Sequence, residues 1–153
     1  MSMNDYADRI SQAILAEESG IGAEWLAQLE SITVRSSGAA REQLRAHCQQ
    51  LLKAFAVATR SGELENIEHR SWDEVRDLLS EISATRAKAG STPAETATLV
   101  FSLKQPLFAR LRDAFETDAD GLATASWTVN TLIDKLGLFT IEVFQKTKDQ
   151  LVD

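Results

Sequence analysis

Apolar positions recur at three- and four-residue steps along almost the whole chain, and the two-residue alternation of a half-buried strand is nearly missing. The pattern predicts an all-α protein of about six helices. Tyr6, Ile10, Ala13 and Ile14 form the stripe of a first helix ending near Glu17, with Gly20 and Gly22 marking the break after it. Ile21, Trp25, Leu29 and Ile32 define a shorter second helix. The β-branched run Ile32-Thr33-Val34 is too brief to find a partner strand and is assigned to a helix end, followed by a loop at Ser36-Ser37-Gly38. Leu44, Cys48, Leu51, Leu52, Phe55 and Ala58 mark a third helix that stops at Ser61-Gly62, and the polar run from Glu63 to Arg70 is a connector.

Ser71 and Glu74 have capping-box spacing ahead of a fourth helix, whose inner face carries Val75, Leu78, Leu79 and Ile82. Gly90 suits the left-handed residue that ends it. Thr92, Pro93 and Glu95 then supply an N-cap, a first-turn proline and a capping-box acceptor for a fifth helix running to about Phe115. That helix is apolar nearly all round, which predicts a central position, and Pro106 in its interior predicts a kink or a break.

A sixth helix, from about Gly121 to the C-terminus, carries Leu122, Ala125, Val129, Leu132, Leu136, Phe139 and Val143 on one face, with Ile133, Gly137, Ile141 and Phe144 beside them. The stripe is wider than one core contact needs. Deep embedding explains it, and so does pairing with a second chain, for which Gly137 leaves room. Pairing is the preferred reading, and Ile133, Gly137, Ile141 and Phe144, with Tyr6 and Ile10 of the first helix, are the candidate homodimer surface. No stop signal follows Phe144, so residues from about 145 to 153 read as the start of a helical linker.

At 153 residues the chain is expected to be a single domain over 1–153, too short for two independent cores and a linker. With 25% charged and 44% hydrophobic residues it has a globular composition, and no apolar run approaches the roughly 20 residues of a spanning helix, so no membrane partner is expected. The net charge of −7 argues against nucleic acid, and Arg41, Arg45, Lys53 and Arg60 read as a solvated helix face rather than a phosphate-binding stripe. The polar, acidic start lacks the pattern of a secretory signal, and the lone Cys48 in an apolar stripe fits a reducing compartment, so a cytoplasmic location is expected.

No catalytic constellation emerges. His47 and His69 are the only imidazoles, and zinc-type, phosphate-loop and nucleophile-elbow spacings are missing, so neither a catalytic residue nor a metal ligand is expected. The acidic pairs Glu17-Glu18, Asp73-Glu74 and Asp118/Asp120 sit at helix ends, where capping and the helix dipole account for them. Trp25, Trp72 and Trp127 mostly extend amphipathic faces.

The run from Arg86 to Lys104, RAKAGSTPAETATLVFSLK, and the later run from Leu132 to Phe139 resemble the N-terminal domain of RsbR-type stressosome proteins, the RsbT co-antagonists. Arg86, Gly90, Pro93, Glu95, Thr96, Ala97, Phe101, Ser102, Leu103 and Lys104 fall on that family's pattern R-x-x-x-G-x-x-P-x-E-T-A-x-x-x-F-S-L-K, while the N-terminal third resembles it as a helix pattern with Trp25 and Leu26. The resemblance implies a globin-like domain without haem, non-catalytic and without a cofactor, that receives signals and dimerises. It also implies partnership with other stressosome proteins through a C-terminal STAS domain absent from this chain. The alternative is a haem-binding gas or redox sensor, for which His47 is a better contact than His69. Against it stands the lack of any histidine from Arg70 to Asp153 for an axial ligand.

Overall fold

The computed structural model describes residues 3–32 and 38–152. Among them are seven α-helices and one short 3-10 turn: α1 (Met3–Ala16), α2 (Glu18–Ile32), α3 (Gly38–Arg60), the 3-10 turn (Arg70–Trp72), α4 (Asp73–Lys88), α5 (Pro93–Phe101), α6 (Lys104–Ala114) and α7 (Ala119–Val152). The all-α class stands as read. The β-branched run and the loop assigned to residues 33–37 lie outside the described residues.

Helix α4 packs against both α3 and α7, α5 packs along α7, and α1 and α2 each pack against α3 and α6. The core they enclose is built on Trp25, Phe55, Trp72, Leu79, Leu107 and Leu132, each buried. Phe55 and Trp72 meet edge to face at 5.5 Å between ring centroids. The Trp72 indole donates to the Glu63 carbonyl (2.8 Å), tying the connector to the core. Ser11 of α1 donates to the Ala56 carbonyl of α3 (2.7 Å), so the buried hydroxyl between these helices is satisfied.

Three features differ from the sequence pattern, each for a physical reason. The first helix ends at Ala16, as the pattern predicts near Glu17, but Gly20 and Gly22 do not mark the break and lie inside α2. Arg110 of α6 lies across Gly20: an added Cβ there would come 2.6 Å from its Nη2, so the guanidinium would have to shift. That guanidinium is held by both carboxylate oxygens of Glu24 (3.0 and 3.1 Å), which raise its pKa further. Second, Ser71 and Glu74 form no capping box. The His69 imidazole takes the Ser71 backbone N–H (3.1 Å) and pairs with its hydroxyl (2.8 Å), so residues 70–72 close a 3-10 turn and α4 starts at Asp73 without a side-chain cap.

Third, the helix expected from Pro93 to Phe115 is two helices, divided at Ser102-Leu103 rather than at Pro106. Pro106 is the third residue of α6, in the first turn, where a backbone N–H has no intrahelical partner to lose. At the division the Leu103 N–H turns back to the Val100 carbonyl (3.1 Å), which frees the Leu99 carbonyl. The buried Trp25 indole of α2 donates to that oxygen at 2.9 Å. The break and the tryptophan therefore explain each other. The joint before α5 is as read: Gly90 has φ +90°, Ser91 N–H reaches the Arg86 carbonyl (3.0 Å), and Thr92 and Glu95 form a reciprocal capping box.

Candidate functional site

Helix α7 is the longest element, 34 residues, and its inner and outer sides differ in kind. Asp118 caps its start, accepting from the Gly121 N–H (2.9 Å) and pairing with Arg9 of α1 (3.1 Å). Those two contacts, the backbone donor first, hold the Asp118 carboxyl below its ordinary pKa. Further along, Lys104 at the start of α6 pairs with Asp134 at 2.5 Å, and Lys135 donates to the Glu65 carbonyl of the connector. The inner stripe of Val129, Leu132, Ile133 and Leu136 is fully covered by the chain's own helices.

The residues expected to face a second chain belong mostly to that interior. Ile10, Ile133 and Phe144 are buried within the single chain. Tyr6 is half-buried and stacks on Phe115 at 6.3 Å, and Ile141 is half-buried. The space beside Gly137 is filled from within: an added Cβ would lie 2.6 Å from Phe101 Cζ and 3.0 Å from its Cδ1. The wide stripe thus records deep embedding of α7 between its neighbours, and contact of Ile10, Ile133 or Phe144 with a second copy would require displacing that packing.

The outer side carries what the stripe concealed. Trp127 is 72% exposed and Leu138 59%, while Trp25 and Trp72 are buried. Eleven residues apart, Trp127 and Leu138 differ by about 20° around a helix that advances about 16 Å between them, so both lie on one line along α7. Beside Trp127 is a hollow of about 230 Å³ lined by Leu64, Glu65, Thr128, Thr131 and Lys135. In the sequence, Trp127 is indistinguishable from the two core tryptophans by type. The available signal is that it lies off the Ala125, Val129, Leu132, Leu136 stripe.

The groups with chemical potential are accounted for differently. His69 is the cap of the 3-10 turn. His47, buried on α3, sits 3.9 Å from the Glu81 carboxylate of α4. Burial pushes the Cys48 thiol up to about 12, against which Arg86 pulls only partly, so it is a neutral thiol at physiological pH. Burial also lowers the Arg86 guanidinium. The Ser83 and Thr96 hydroxyls are buried and have no hydrogen-bond partner among the described residues. Among the described residues no group of three or more His, Cys, Asp or Glu could hold a metal, and no helix is long and apolar enough to cross a membrane.

The sequence motifs converge on the joint that holds α7: Gly90, Pro93 and Glu95 start α5, Phe101 covers Gly137, and Lys104 grips Asp134. A match to the RsbT co-antagonist protein rsbRD N-terminal domain extends over residues 5–153, nearly the whole chain. The chain belongs to this family. No curated protein and no solved structure matches it significantly. As an RsbR-type N-terminal domain it uses the family motif to build a helix joint: the Arg86 carbonyl closes the turn after α4, and Ser102 donates to the Thr98 carbonyl (2.6 Å) where α5 ends.

Proposed function

We propose that this chain is the signal-sensing and dimerisation module of an RsbR-type stressosome protein acting in the general stress response. In this reading the module is cytoplasmic, works without catalysis, and meets other stressosome proteins through a STAS domain beyond this chain. The observation that carries it is the exposed line of Trp127 and Leu138 on α7, the helix that spans the domain and leads to its C-terminal end. Two large apolar side chains on one exposed helix line are a typical anchor pair for an interface, and tryptophan is enriched at binding hot spots.

Two copies paired across a two-fold axis with α7 antiparallel set each Trp127 against Leu138 of the other copy, a self-complementary contact. The hollow beside Trp127 gives the indole room to settle. A signal that favours one packing of the paired helices then changes the direction in which both α7 helices leave the domain, biasing the state of the STAS domains they would carry.

Trp127 itself reports on this. With Trp25 and Trp72 buried, acrylamide quenching of tryptophan fluorescence is dominated by Trp127. The proposal expects Trp127 to be shielded at high protein concentration and to become quenchable on dilution, and shielding to be lost in Leu138→Glu at every concentration. Quenching that is strong and independent of concentration overturns it.

A further inference from the structure

A second surface, formed by α2 and α3 rather than α7, has the features of a ligand groove. These two helices enclose an open cavity of about 530 Å³, lined among others by Gly22, Leu26, Arg45, Cys48, Gln49 and Lys53, with the Glu18 carboxylate on its α2 side. That volume is in the range of small-molecule sites, roughly 300–1,000 Å³. Its floor is apolar: Cys48 and Leu52 are buried beneath it, and a Cβ added at Gly22 would meet nothing within 4 Å. Its α3 lip is a row of donors. Arg45, Gln49 and Lys53 are four residues apart and therefore stand on one face. Among the described residues Gln49 and Lys53 have no hydrogen-bond or ion-pair partner, and Arg45 has only an exposed Glu42 at 3.7 Å.

We infer that the groove between α2 and α3 binds a small amphiphilic anion: an apolar body lying over Gly22 and Cys48, with a carboxylate, sulfonate or phosphate head taken by the Arg45, Gln49 and Lys53 row. An apolar floor without donors would accept any hydrophobe, and donors without a floor would be a solvated helix face. Together they select a molecule carrying both characters. A peptide helix fits less well, because its apolar face needs a longer groove than the few turns available here. Such a ligand would be an input for the sensory module; its binding rests on that reading only for its purpose.

The probe is 1-anilinonaphthalene-8-sulfonate, whose fluorescence rises on entering an apolar site, with uncharged N-phenyl-1-naphthylamine as its partner. The intact chain is expected to bind one sulfonate probe saturably. Gly22→Leu, which puts a side chain into open space, should weaken both probes at least tenfold with unchanged circular dichroism. Ala23→Leu on the same lip is the second filling variant should the first disturb the helix. Arg45→Gln combined with Lys53→Gln should weaken the sulfonate at least fivefold and leave the neutral probe unchanged. No saturable binding, binding indifferent to both filling variants in folded protein, or equal loss of both probes in the charge variant overturns the inference. The molecular mass of the same samples reads pairing separately, so failure of one proposal is distinguishable from failure of the other.

Discussion

Substituting Gly137 by alanine separates two opposed effects whose sizes follow from the structure. In an open helix position the change is stabilising by about 1 kcal/mol, because glycine has the larger backbone entropy to lose. At Gly137 the new methyl overlaps the Phe101 ring edge, with 2.6 Å to Cζ and 3.0 Å to Cδ1, far inside van der Waals contact. Phe101 is half-buried and can shift, but its helix ends at that residue in the joint fixed by Lys104 and Asp134. Overpacking of this kind costs about 1–3 kcal/mol. The expected net is a loss of about 0–2 kcal/mol, or up to roughly 8 °C in Tm at about 2–4 °C per kcal/mol for a domain of this size.

Gly22→Ala is the internal control, since nothing lies within 4 Å of its added Cβ, and it should gain about 0.5–1 kcal/mol. Paired thermal and urea melts of the two variants measure the difference. Adding Phe101→Ala to Gly137→Ala should recover at least about 1 kcal/mol relative to additivity, since the two side chains touch. If Gly137→Ala stabilises as much as Gly22→Ala and shows no coupling to Phe101, then Phe101 does not fill that space and it is free to receive a second chain.

Trp25→Phe leaves the Leu99 carbonyl without its 2.9 Å donor inside the core and should cost about 1–3 kcal/mol in urea unfolding; a change under about 0.5 kcal/mol contradicts the account of the α5–α6 break. Asp118 has a folded pKa below its ordinary 3.8, so its contribution to stability is present above that value and is lost as pH falls through the folded one. Asp118→Asn should therefore lower Tm at neutral pH and flatten its decline toward about pH 3; an unchanged pH profile contradicts the role of the Gly121 and Arg9 contacts. Haem titration is expected to give no sharp Soret band, because His69 is tied to Ser71 and His47 sits beside Glu81, and a saturable band lost in His47→Ala reverses that expectation.

The helical joints are readable from sequence because they depend on local chemistry: the Gly90 stop and the Thr92, Pro93 and Glu95 start need only residues a few positions apart. The division between α5 and α6 is not. There Trp25 reaches the Leu99 carbonyl across 74 positions, and the Arg110 that lies across Gly20 is likewise held by Glu24 from 86 positions away. The burial of most of the candidate dimer residues is hidden for a related reason. Periodicity shows that Ile133, Gly137 and Phe144 share an apolar flank but not how many helices of the same chain surround it. Phe101 and Gly137, both within recognisable motifs, are each legible alone, and their contact is not. Conversely Trp127, an apolar residue that the fold leaves outside, becomes visible only once the core is complete.

Pairing of α7 through its outer face is the central claim. Light scattering after size exclusion, over a tenfold concentration range, should give the mass of two 16.9 kDa chains for the natural sequence and of one chain for the variant carrying both Trp127→Glu and Leu138→Glu, with unchanged helical circular dichroism. A natural chain that is monomeric throughout, or a folded double variant that stays dimeric, contradicts it.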